Sequence, residues 1–452
     1  MNREEYLKIL TEQIRCKMAR GEVSKEISGH IEDQTRTFMS EGLERSEAEE
    51  LAVREMGDPV ETGNELDKVH RPRMPWGMVA LIVVLSIAGY GVYYLLAARC
   101  VDEAGNGVVD VSLHAGRQFL YLIVGLVVMV GVCFADYTRI AARSRELMVL
   151  LFAGSAVGIM FSGLTINGAR SWIDLRILTV NVLMLLMLTV PLYAAILYRY
   201  RGGTGGTAVK AVLWMLPGTG MAFFCNGTLM SVILLLTYLI VFALAVWKNW
   251  FQIPRRLCLA AIGAAALLLP VVAAFYVGFF GEDYQKERLG AIFGTGEELN
   301  FVSAFVRELL TGSRLLGKNT GLPDTVMMPA DPQEIALAGL AGYYGILAAL
   351  AVAGALLFLL LRFLHISLRQ RNQLGMLMGT GCAAVFLIQT GIYIVNNLGI
   401  AYFGTYCPFL SMGGSGAVVT YIILGLMLSV CRYRNTAPER RFGKMQGRFH
   451  TE

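Results

Sequence analysis

Long apolar runs separated by short polar segments recur along the chain from Pro75 onward. A helix needs about 20 mainly apolar residues to cross a bilayer, so runs of this length predict ten membrane spans. The fifth run is the weakest, because the sequence LPGTG interrupts it. The predicted spans cover about residues 75–97, 117–135, 146–166, 174–198, 209–225, 228–247, 257–280, 334–361, 374–397 and 410–430.

Basic residues are concentrated in every second connection between these spans. Arg139, Arg143 and Arg145 follow span two, and similar groups follow spans four, six, eight and ten. Since basic loops face the cytoplasm, this alternation predicts that both chain termini are cytoplasmic. One outer loop, residues 281–333, is long, polar and only weakly helical in pattern, and such a loop is typically functional or disordered.

The first 72 residues follow a different pattern. Apolar residues between Tyr6 and Met18 recur at three- and four-residue spacing, which is typical of one face of a helix. Ser46 and Glu49 fit a capping box at the start of a later helix. The sequence GDP that follows contains the residues that end helices. This region therefore predicts a small helical domain outside the membrane.

Composition supports this division. The chain is 55% hydrophobic and 16% charged, whereas soluble proteins carry about 25% charged residues. Residues 1–70 hold 17 of the 34 acidic residues but only 10 of the 39 Lys and Arg, so an acidic head precedes a basic membrane body. We predict an all-α fold, a polytopic membrane bundle of about ten helices with a small cytoplasmic helical domain. The predicted parts are 1–72 (helical prefix domain), 73–435 (membrane domain) and 436–452 (basic cytoplasmic tail).

Cysteine and histidine patterns predict no metal or disulfide site. The eight cysteines form no CxxC motif, and the five histidines do not cluster. No nucleic-acid partner is expected either.

Two predicted outer loops carry cationic candidates. Arg170 and Trp172 lie at a membrane edge after span three, where they fit either an aromatic belt with a snorkelling arginine or a substrate contact. Lys318 lies in TGSRLLGKNTGLP, whose glycine spacing mimics a phosphate-binding Walker A loop. Asn319 replaces the required Ser or Thr, no strand precedes the loop, and the loop faces outward, which excludes ATP binding. A lysine among glycines can still hold a phosphate.

Acidic and amide side chains mark spans eight and nine. Asp331 and Glu334 stand at the start of span eight, where a carboxylate is favoured by the helix dipole and where it could also face a cavity. Asn396 and Asn397 lie at the end of span nine, where their amide groups are expected to need hydrogen-bond partners inside the bundle. Helix capping and packing are the alternatives to a catalytic role.

The last span begins with CPFLSMGGSG, which contains the residues that weaken helices most. Irregular backbone at membrane depth survives only where protein covers it or where it lines a cavity. The segment is therefore expected to pack into the bundle below the long outer loop. Its N–H and hydroxyl groups would hold that loop in place or line a pocket.

These motifs together resemble the SEDS family, the shape, elongation, division and sporulation proteins of the FtsW, RodA and SpoVE type. The segment PFLSMGGSG is similar to the family signature PF-(I/L)-S-Y-G-G-S-S, while Met412 and Gly416 depart from it. The matching residues include Pro408, Phe409, Ser411, Gly413, Gly414 and Ser415. NGARSWI, YQKERLGAIF, LLGKNTG and NNLGI resemble further family motifs in the family's order. The resemblance covers about residues 75–435.

The resemblance implies a bacterial cell-membrane protein that polymerises peptidoglycan glycan strands from a lipid-linked disaccharide. It also implies a partner, a class B penicillin-binding protein that crosslinks the strands. The family's catalytic Asp lies eleven residues before a glycine, and counting back from Gly345 places Glu334 there. Asp331 could substitute if the loop is re-registered. The family's paired glutamates before the glycine are replaced by Gly342 and Tyr343, so the site is divergent.

Three functions follow from the resemblance. The first is a glycosyltransferase with Glu334 or Asp331 as general base and with a lipid diphosphate as leaving group. Substrate binding would fall to Arg170, Trp172, Lys318, Ser411, Gly413, Gly414 and Ser415, and a divalent cation could help to stabilise the diphosphate. The second is a non-catalytic scaffold of a division or sporulation complex. The third is a flippase of the lipid-linked precursor, which the absence of charged pairs and inverted repeats in the spans disfavours.

Overall fold

The computed structural model describes residues 1–100, 111–166, 169–176, 179–292, 299–328, 331–411 and 413–434. The predicted basic tail, 436–452, lies outside the described residues. The fold is all-α in its membrane part apart from a few short strands, as predicted.

Four helices form the acidic N-terminal region. They are α1 (Arg3–Gln13), α2 (Lys17–Ser40), α3 (Arg45–Glu55) and α4 (Pro59–His70). They share a core separate from that of the membrane part, with Tyr6, Leu10, Ile31 and Val53 buried in it. This grouping supports the predicted prefix domain, whose boundary stays a prediction.

The helix ends in this region follow only part of the predicted pattern. The predicted Ser46–Glu49 capping box is wrong, because α3 begins one residue before Ser46 and no side chain caps it. The helix does end at the GDP sequence, where Gly57 has φ +79°. Asp58 then caps α4 by accepting a hydrogen bond from the Val60 N–H (2.9 Å).

Sixteen further helices follow in the described residues. They are α5 (Trp76–Ala97), α6 (Val111–Phe134), α7 (Tyr137–Ala142), α8 (Ser144–Ser162), α9 (Val182–Leu185), α10 (Thr189–Arg199), α11 (Gly205–Leu213), α12 (Leu216–Phe224), α13 (Thr228–Trp247), α14 (Arg255–Phe280), α15 (Asp283–Ile292), α16 (Leu299–Leu310), α17 (Ala336–Tyr344), α18 (Ile346–Leu368), α19 (Gln373–Asn397) and α20 (Gly414–Arg432). A short 3-10 turn joins α9 to α10.

Among the described residues, 10 helical segments are long and apolar enough to cross a membrane, which confirms the predicted number. Span four consists of α9 and α10, and span five consists of α11 and α12. The predicted weak point of span five is a break before α12, where Pro217 stands in the first turn and so loses no helical hydrogen bond.

Span eight differs most from its predicted bounds. It begins at Ile346 rather than at residue 334, because Gly345 adopts φ +107° and separates it from α17. Backbone atoms of Leu315 and Leu316 lie within 3 Å of where a Gly345 side chain would start. The short helix α17 is therefore a separate element, and it is buried along nearly its whole length.

Short strands replace two predicted span ends. β1 (Gly163–Ile166), β2 (Ala169–Asp174) and β3 (Thr179–Asn181) form an antiparallel sheet in the order β1-β2-β3. This sheet joins α8 to α9, so span three ends earlier and span four begins later than predicted. β4 (Gly203–Thr204) and β5 (Phe251–Gln252) form one small parallel pair.

The centre of the bundle is α19, which packs against α10, α13, α18 and α20. In contrast, no residue of α14 is buried, and this helix packs mainly on α13 and α15. The long loop 281–333 contains α15 and α16, so its weakly helical prediction is wrong. α16 buries Val302, Phe305, Val306 and Leu309, which lie at helical spacing, and it covers α17.

Candidate active site

Glu334 lies immediately before α17, in a turn that Asp331 closes. The Asp331 carboxylate accepts a hydrogen bond from the Gln333 N–H (3.0 Å), and its carbonyl accepts one from the Glu334 N–H (2.8 Å). An Asp side chain bonded to the backbone two residues further on is typical of such turns. Asp331, the less favoured of the two predicted bases, thus helps to position Glu334.

The central helix α19 holds the start of α17 in place. The first N–H groups of a helix have no partner within the helix. Here the Ala336 N–H donates to the Tyr393 hydroxyl (3.2 Å), and the Ala338 N–H donates to Asn397 Oδ1 (3.0 Å). Asn397 Nδ2 in turn donates to the Glu334 carbonyl (3.0 Å). Asn397 therefore fixes the backbone on both sides of the helix start.

The Glu334 side chain is half-buried and accepts a hydrogen bond from the Tyr402 hydroxyl. Tyr402 belongs to the segment between α19 and α20, which Asn396 fastens by accepting a hydrogen bond from the Phe403 N–H (3.1 Å). The amide side chain of Asn396 at the end of span nine thus serves packing, and the segment that it holds places the Tyr402 hydroxyl on the Glu334 carboxylate.

Asp331 lies on a different side of the turn. Its carboxylate is exposed and lies near Cys100, at the end of α5. Burial, and secondarily the Asp331 charge, raises the pKa of the Cys100 thiol to about 11. The two carboxylates therefore have different surroundings, with Glu334 facing Tyr402 and Asp331 facing the end of α5.

Lys318 lies near the opposite end of α17 from Glu334. Its neighbours Gly317 and Asn319 donate backbone hydrogen bonds to the Tyr344 and Gly342 carbonyls (3.1 and 2.8 Å). A helix of this length spans about 13 Å, so the loop is fastened well away from the Glu334 backbone.

The Lys318 ammonium pairs with Asp324 rather than with a catalytic carboxylate (Nζ to Oδ1, 2.5 Å). This hydrogen bond and charge lower the pKa of Asp324. Arg99 approaches the same residue, donating to the Asp324 carbonyl (3.3 Å) while its guanidinium lies 5.7 Å from the Tyr343 ring centre. Lys318 and Arg99 thus both lie within ion-pair distance of the exposed Asp324 carboxylate.

Asn319 explains the imperfect Walker A pattern. Its Nδ2 donates to the Thr311 carbonyl (2.7 Å), and its Oδ1 accepts from the Gly321 N–H (3.0 Å). The amide therefore closes the loop on itself. A Ser or Thr hydroxyl is too short to make both bonds.

Arg170 and Trp172 lie on β2, on the small sheet. Trp172 pairs with Asn181 of β3. The exposed Arg170 side chain turns back to the end of α8, where Nη2 donates to the Ile159 carbonyl (3.2 Å). Arg170 also lines a groove of about 670 Å³ between α8 and α12.

The segment Cys407–Ser415 packs tightly at the start of α20. The Cys407 N–H donates to Ser411 Oγ (3.0 Å), and the Asn181 N–H of the sheet donates to Ser415 Oγ (3.0 Å). Phe409 adopts φ +69°, and its carbonyl lies against Gly89 of α5. The two serines thus hold the segment and join it to the sheet that carries Arg170 and Trp172.

Little space is left beside this segment. The cavity that Ser411 and Phe409 help to line measures about 20 Å³, which is roughly the room that one water molecule needs. Gly414 lies against the Tyr121 ring (3.0 Å from a built Cβ), whereas Gly413 is exposed with no neighbour within 4 Å. Of the four predicted residues here, Gly413 is the one that faces open space.

Sequence reasoning missed Tyr402, Tyr393 and Arg99. Tyr402 lies in LGIAYFGTYC, where glycines and aromatic residues indicate a loop but no chemistry. Arg99 follows the first span and reads as an ordinary membrane-edge arginine. Their roles depend on residues that are about 60 or more positions away along the chain.

The described residues do not fit a resident metal ion. Within them, no group of three or more His, Cys, Asp or Glu side chains could hold one.

Taken together, the fold and site define a multi-pass helical membrane protein with an acidic residue held at the start of a short buried helix that the long loop 281–333 covers. A family model described as "Cell cycle protein", FTSW_RODA_SPOVE, matches residues 78–436. The chain belongs to this family, the SEDS family, and is a multi-pass bacterial membrane protein.

Similar proteins agree with this assignment. A protein of Alcanivorax borkumensis named "Probable peptidoglycan glycosyltransferase FtsW" is 26% identical over 76% of this chain and 90% of its own length. An Enterococcus hirae protein of the same name is 24% identical over 79% of this chain and 92% of its own length.

Two solved structures share the fold. A chain from a structure described as "Structural coordination of polymerization and crosslinking by a peptidoglycan synthase complex" has a TM-score of 0.63 and 22% identity, covering 80% of this chain and 98% of that chain. Thermus thermophilus rod shape determining protein RodA has a TM-score of 0.57 and 20% identity, covering 80% of this chain and 97% of that chain.

Proposed function

We propose that this protein is a membrane peptidoglycan glycosyltransferase, which polymerises a lipid-linked disaccharide (lipid II) during cell division, elongation or sporulation. The family and the names of its relatives favour this function. The observation that carries it is the placement of Glu334, a half-buried carboxylate whose backbone α19 holds on one side and whose side chain Tyr402 contacts. A general base must be held in this way to accept a proton in a defined direction.

The proposed reaction joins two lipid-linked units. A sugar hydroxyl of one unit attacks the anomeric carbon of the other, forming a C–O bond as the bond to the lipid diphosphate breaks. Glu334 takes the hydroxyl proton, and the diphosphate leaves with the electron pair of the broken bond. Asp331, which closes the turn before Glu334, is the second candidate for the base.

Positive groups would stabilise the departing diphosphate, as cations do at leaving phosphates. Arg170 and Lys318 are the proposed ones, with Trp172 beside Arg170 as a sugar-stacking surface. Ser411 and Ser415 would act by holding their segment, the exposed Gly413 would present backbone to the substrate, and Gly414 would let the segment pack against Tyr121. This division follows from the hydrogen bonds that the two serines already make.

The proposal extends to topology and partners. Both termini would be cytoplasmic, as the alternation of basic loops predicts, which places the sheet and α15–α17 on the outer side. A class B penicillin-binding protein would crosslink the product, and membrane lipids surround the bundle. The acidic prefix domain, 1–72, would then be a cytoplasmic docking or folding module, followed by the membrane domain 73–435.

Glycan polymerisation by the purified full-length protein tests the function. The protein, reconstituted with lipid-linked disaccharide, should form glycan strands, and Glu334→Gln should reduce the rate by about 100-fold or more. Asp331→Asn should reduce it less, because the amide oxygen can still close the turn. Unaltered rates in both variants would exclude both bases, and absence of polymerisation by the wild-type protein would refute the function.

A non-catalytic scaffold is the second candidate. It is favoured by the pairing of Lys318 with Asp324 and by the water-sized cavity beside the α20 segment. Complementation separates the two functions. If a gene carrying Glu334→Ala restores growth or sporulation while Glu334→Gln protein is inactive in polymerisation, the protein acts as a scaffold.

A further inference from the structure

A groove runs between α8 and α12, which belong to spans three and five. One wall comes from α8 residues at helical spacing and the other comes from α12. The lining residues are Phe152, Ala156, Ile159, Leu216, Pro217, Gly220, Met221, Phe224 and Cys225, with Arg170 at the end nearest the sheet. Its volume of about 670 Å³ is within the range of sites that bind organic ligands.

The groove combines apolar walls with one fixed cation. Arg170 is anchored at the C-terminal end of α8 by its bond to the Ile159 carbonyl, and Gly163 leaves room for its Nε, which lies 2.9 Å from where a side chain would start. A guanidinium has five N–H donors. Among the described residues no carboxylate lies within ion-pair distance of Arg170.

A cation at a membrane groove without a carboxylate partner is suited to an anionic ligand. Arginine binds phosphate groups through two parallel hydrogen bonds, and a charge near the membrane is costly unless it has a partner. The shape therefore fits a molecule with a phosphorylated head and a long apolar chain.

The cationic end of the groove is connected to the proposed catalytic region. Arg170 lies on β2, which pairs with β3, and Asn181 of β3 donates a hydrogen bond to Ser415 at the start of α20. The segment before Ser415 includes Tyr402, which contacts Glu334. A head group at Arg170 would thus lie on the sheet that is hydrogen-bonded to the start of α20.

We infer that this groove binds the isoprenoid chain of a lipid diphosphate and that Arg170 binds the diphosphate. The inference rests on the proposed function and identifies where the lipid part of its substrate or leaving group lies. An ordinary anionic phospholipid is the alternative occupant, and the experiment separates the two.

Gly220 allows the groove to be closed without disturbing the bundle. It lines the groove on α12, and no atom lies within 4 Å of where its side chain would start. Gly220→Leu should therefore fill the groove and should not destabilise the helix, since Leu favours helices more than Gly does. Gly154→Leu, on the open face of α8, and Gly263→Leu, on α14, are matched controls because they too point into open space.

Photocrosslinking measures occupancy directly. The full-length protein in phosphatidylcholine nanodiscs is irradiated with a photoreactive polyisoprenyl diphosphate, and labelled peptides are mapped by mass spectrometry. Label should lie on 152–159 and 216–225. Gly220→Leu and Arg170→Gln should each reduce it about tenfold, the loss expected from a steric block or from one charge-assisted contact. Arg170→Lys should retain part of it, and both control variants should label like the wild type.

Competition identifies the occupant. Unlabelled polyisoprenyl diphosphate should remove the label, whereas polyisoprenol or phosphatidylglycerol at equal concentration should leave most of it. Label outside the two helices, label unchanged in Gly220→Leu and Arg170→Gln, or equal competition by phosphatidylglycerol would overturn the inference. Melting temperatures of the variants show whether a loss of label reflects unfolding. If a variant is unfolded, Arg170→Lys and the competition by unlabelled lipids still show whether the groove binds the diphosphate.

Polymerisation by the same variants separates this inference from the proposed function. Gly220→Leu should raise the KM for lipid-linked disaccharide about tenfold while Glu334→Gln lowers kcat and keeps the label. If Gly220→Leu polymerises normally, the groove is not the substrate site although the function stands. If the wild type does not polymerise but the label maps to the groove, the function fails and lipid binding stands.

Discussion

The starts of α17 and α20 both carry residues that the sequence singles out, but their side chains are used differently. At α17, Asn397 and Tyr393 of α19 accept hydrogen bonds from the first N–H groups of the helix. The Glu334 carboxylate accepts one from the Tyr402 hydroxyl. At α20, Ser411 and Ser415 are themselves engaged with backbone N–H groups. The first region holds a half-buried carboxylate beside a hydroxyl, whereas the polar side chains of the second fasten the bundle.

This difference explains why the most recognisable sequence motif need not contain the proposed catalytic residue. In PFLSMGGSG close packing at Phe409, Gly414 and the two serines restricts which residues fit, so the pattern is easy to recognise. Glu334 needs only a carboxylate at one place, and its surroundings come from a helix about 60 residues further on. A catalytic site built in this way leaves a faint pattern in its own segment.

Apart from loss of the Glu334 carboxylate itself, the largest effect is expected from Asn397→Ala. It removes the bonds to the Glu334 carbonyl and the Ala338 N–H, so the carboxylate loses its position. A displacement near 1 Å can cost about 100-fold in rate, and we expect a loss of that size in kcat for polymerisation. Asn397→Asp keeps the acceptor for the Ala338 N–H but loses the donor to the Glu334 carbonyl, so its kcat should lie between those of the wild type and Asn397→Ala. Gly391→Ala, on an open face of α19, should have the kcat of the wild type. Equal rates in all three would show that α19 does not position the base.

Gly89→Ala should produce a large effect on stability. A Cβ at Gly89 would overlap the Phe409 carbonyl oxygen, which belongs to backbone and cannot move freely. Overpacking of this kind costs about 1–3 kcal/mol, so the melting temperature in detergent should fall. Gly91→Ala, two residues further along with no atom within 4 Å, should leave it unchanged. A Gly89→Ala protein as stable as the wild type would mean that the α20 segment packs loosely.

Ser415→Ala should have a smaller effect. It removes the acceptor of the Asn181 N–H, and a lost hydrogen bond of this kind costs about 1 kcal/mol. The free energy of unfolding should fall while the KM for lipid-linked disaccharide stays the same, and Ser415→Thr should recover the stability. A rise in KM without loss of stability would make Ser415 a substrate contact and would remove the contrast between the two helix starts.

The smallest effect on stability is expected from removing the exposed ion pair between Lys318 and Asp324. Because the pKa of Asp324 is lowered in the folded protein, this pair stabilises above the usual Asp pKa and the contribution is lost as pH falls through the lowered value. The Asp324 side chain is 85% exposed, so salt should screen the pair. Thermal unfolding of Asp324→Asn should thus differ from the wild type at neutral pH in low salt and converge with it in acid. A difference that persists in acid would point to a role other than the ion pair.

Much of the bundle could be predicted from the sequence because crossing a membrane demands long apolar runs. The ten spans followed from that requirement alone. The helix α16 was missed although Val302, Phe305, Val306 and Leu309 repeat at helical spacing, because polar residues around it dominate the loop. The break at Gly345 was missed because α17 and α18 are both apolar, and only backbone atoms of the outer loop reveal why the chain must turn there.

The candidate site could be predicted only in part. Glu334 was found by counting from Gly345 once the family resemblance was noticed. Lys318 was predicted from its glycine-rich loop and from the family resemblance, and neither of these indicates that it pairs with Asp324 in its own loop. The sheet that carries Arg170 was missed because β3 has only three residues and lies between two apolar spans, where a longer helix is the simpler expectation.

The initial rate of glycan polymerisation by purified Glu334→Gln, measured beside Glu334→Asp, tests the central claim most directly. Glu334→Asp keeps a carboxylate and restores the residue that the SEDS family uses, so it should retain measurable activity. Glu334→Gln keeps the size and the hydrogen bond from Tyr402 but cannot take a proton, so its rate should fall by about 100-fold or more. A Gln variant that polymerises as fast as the wild type would contradict the assignment of Glu334 as the base.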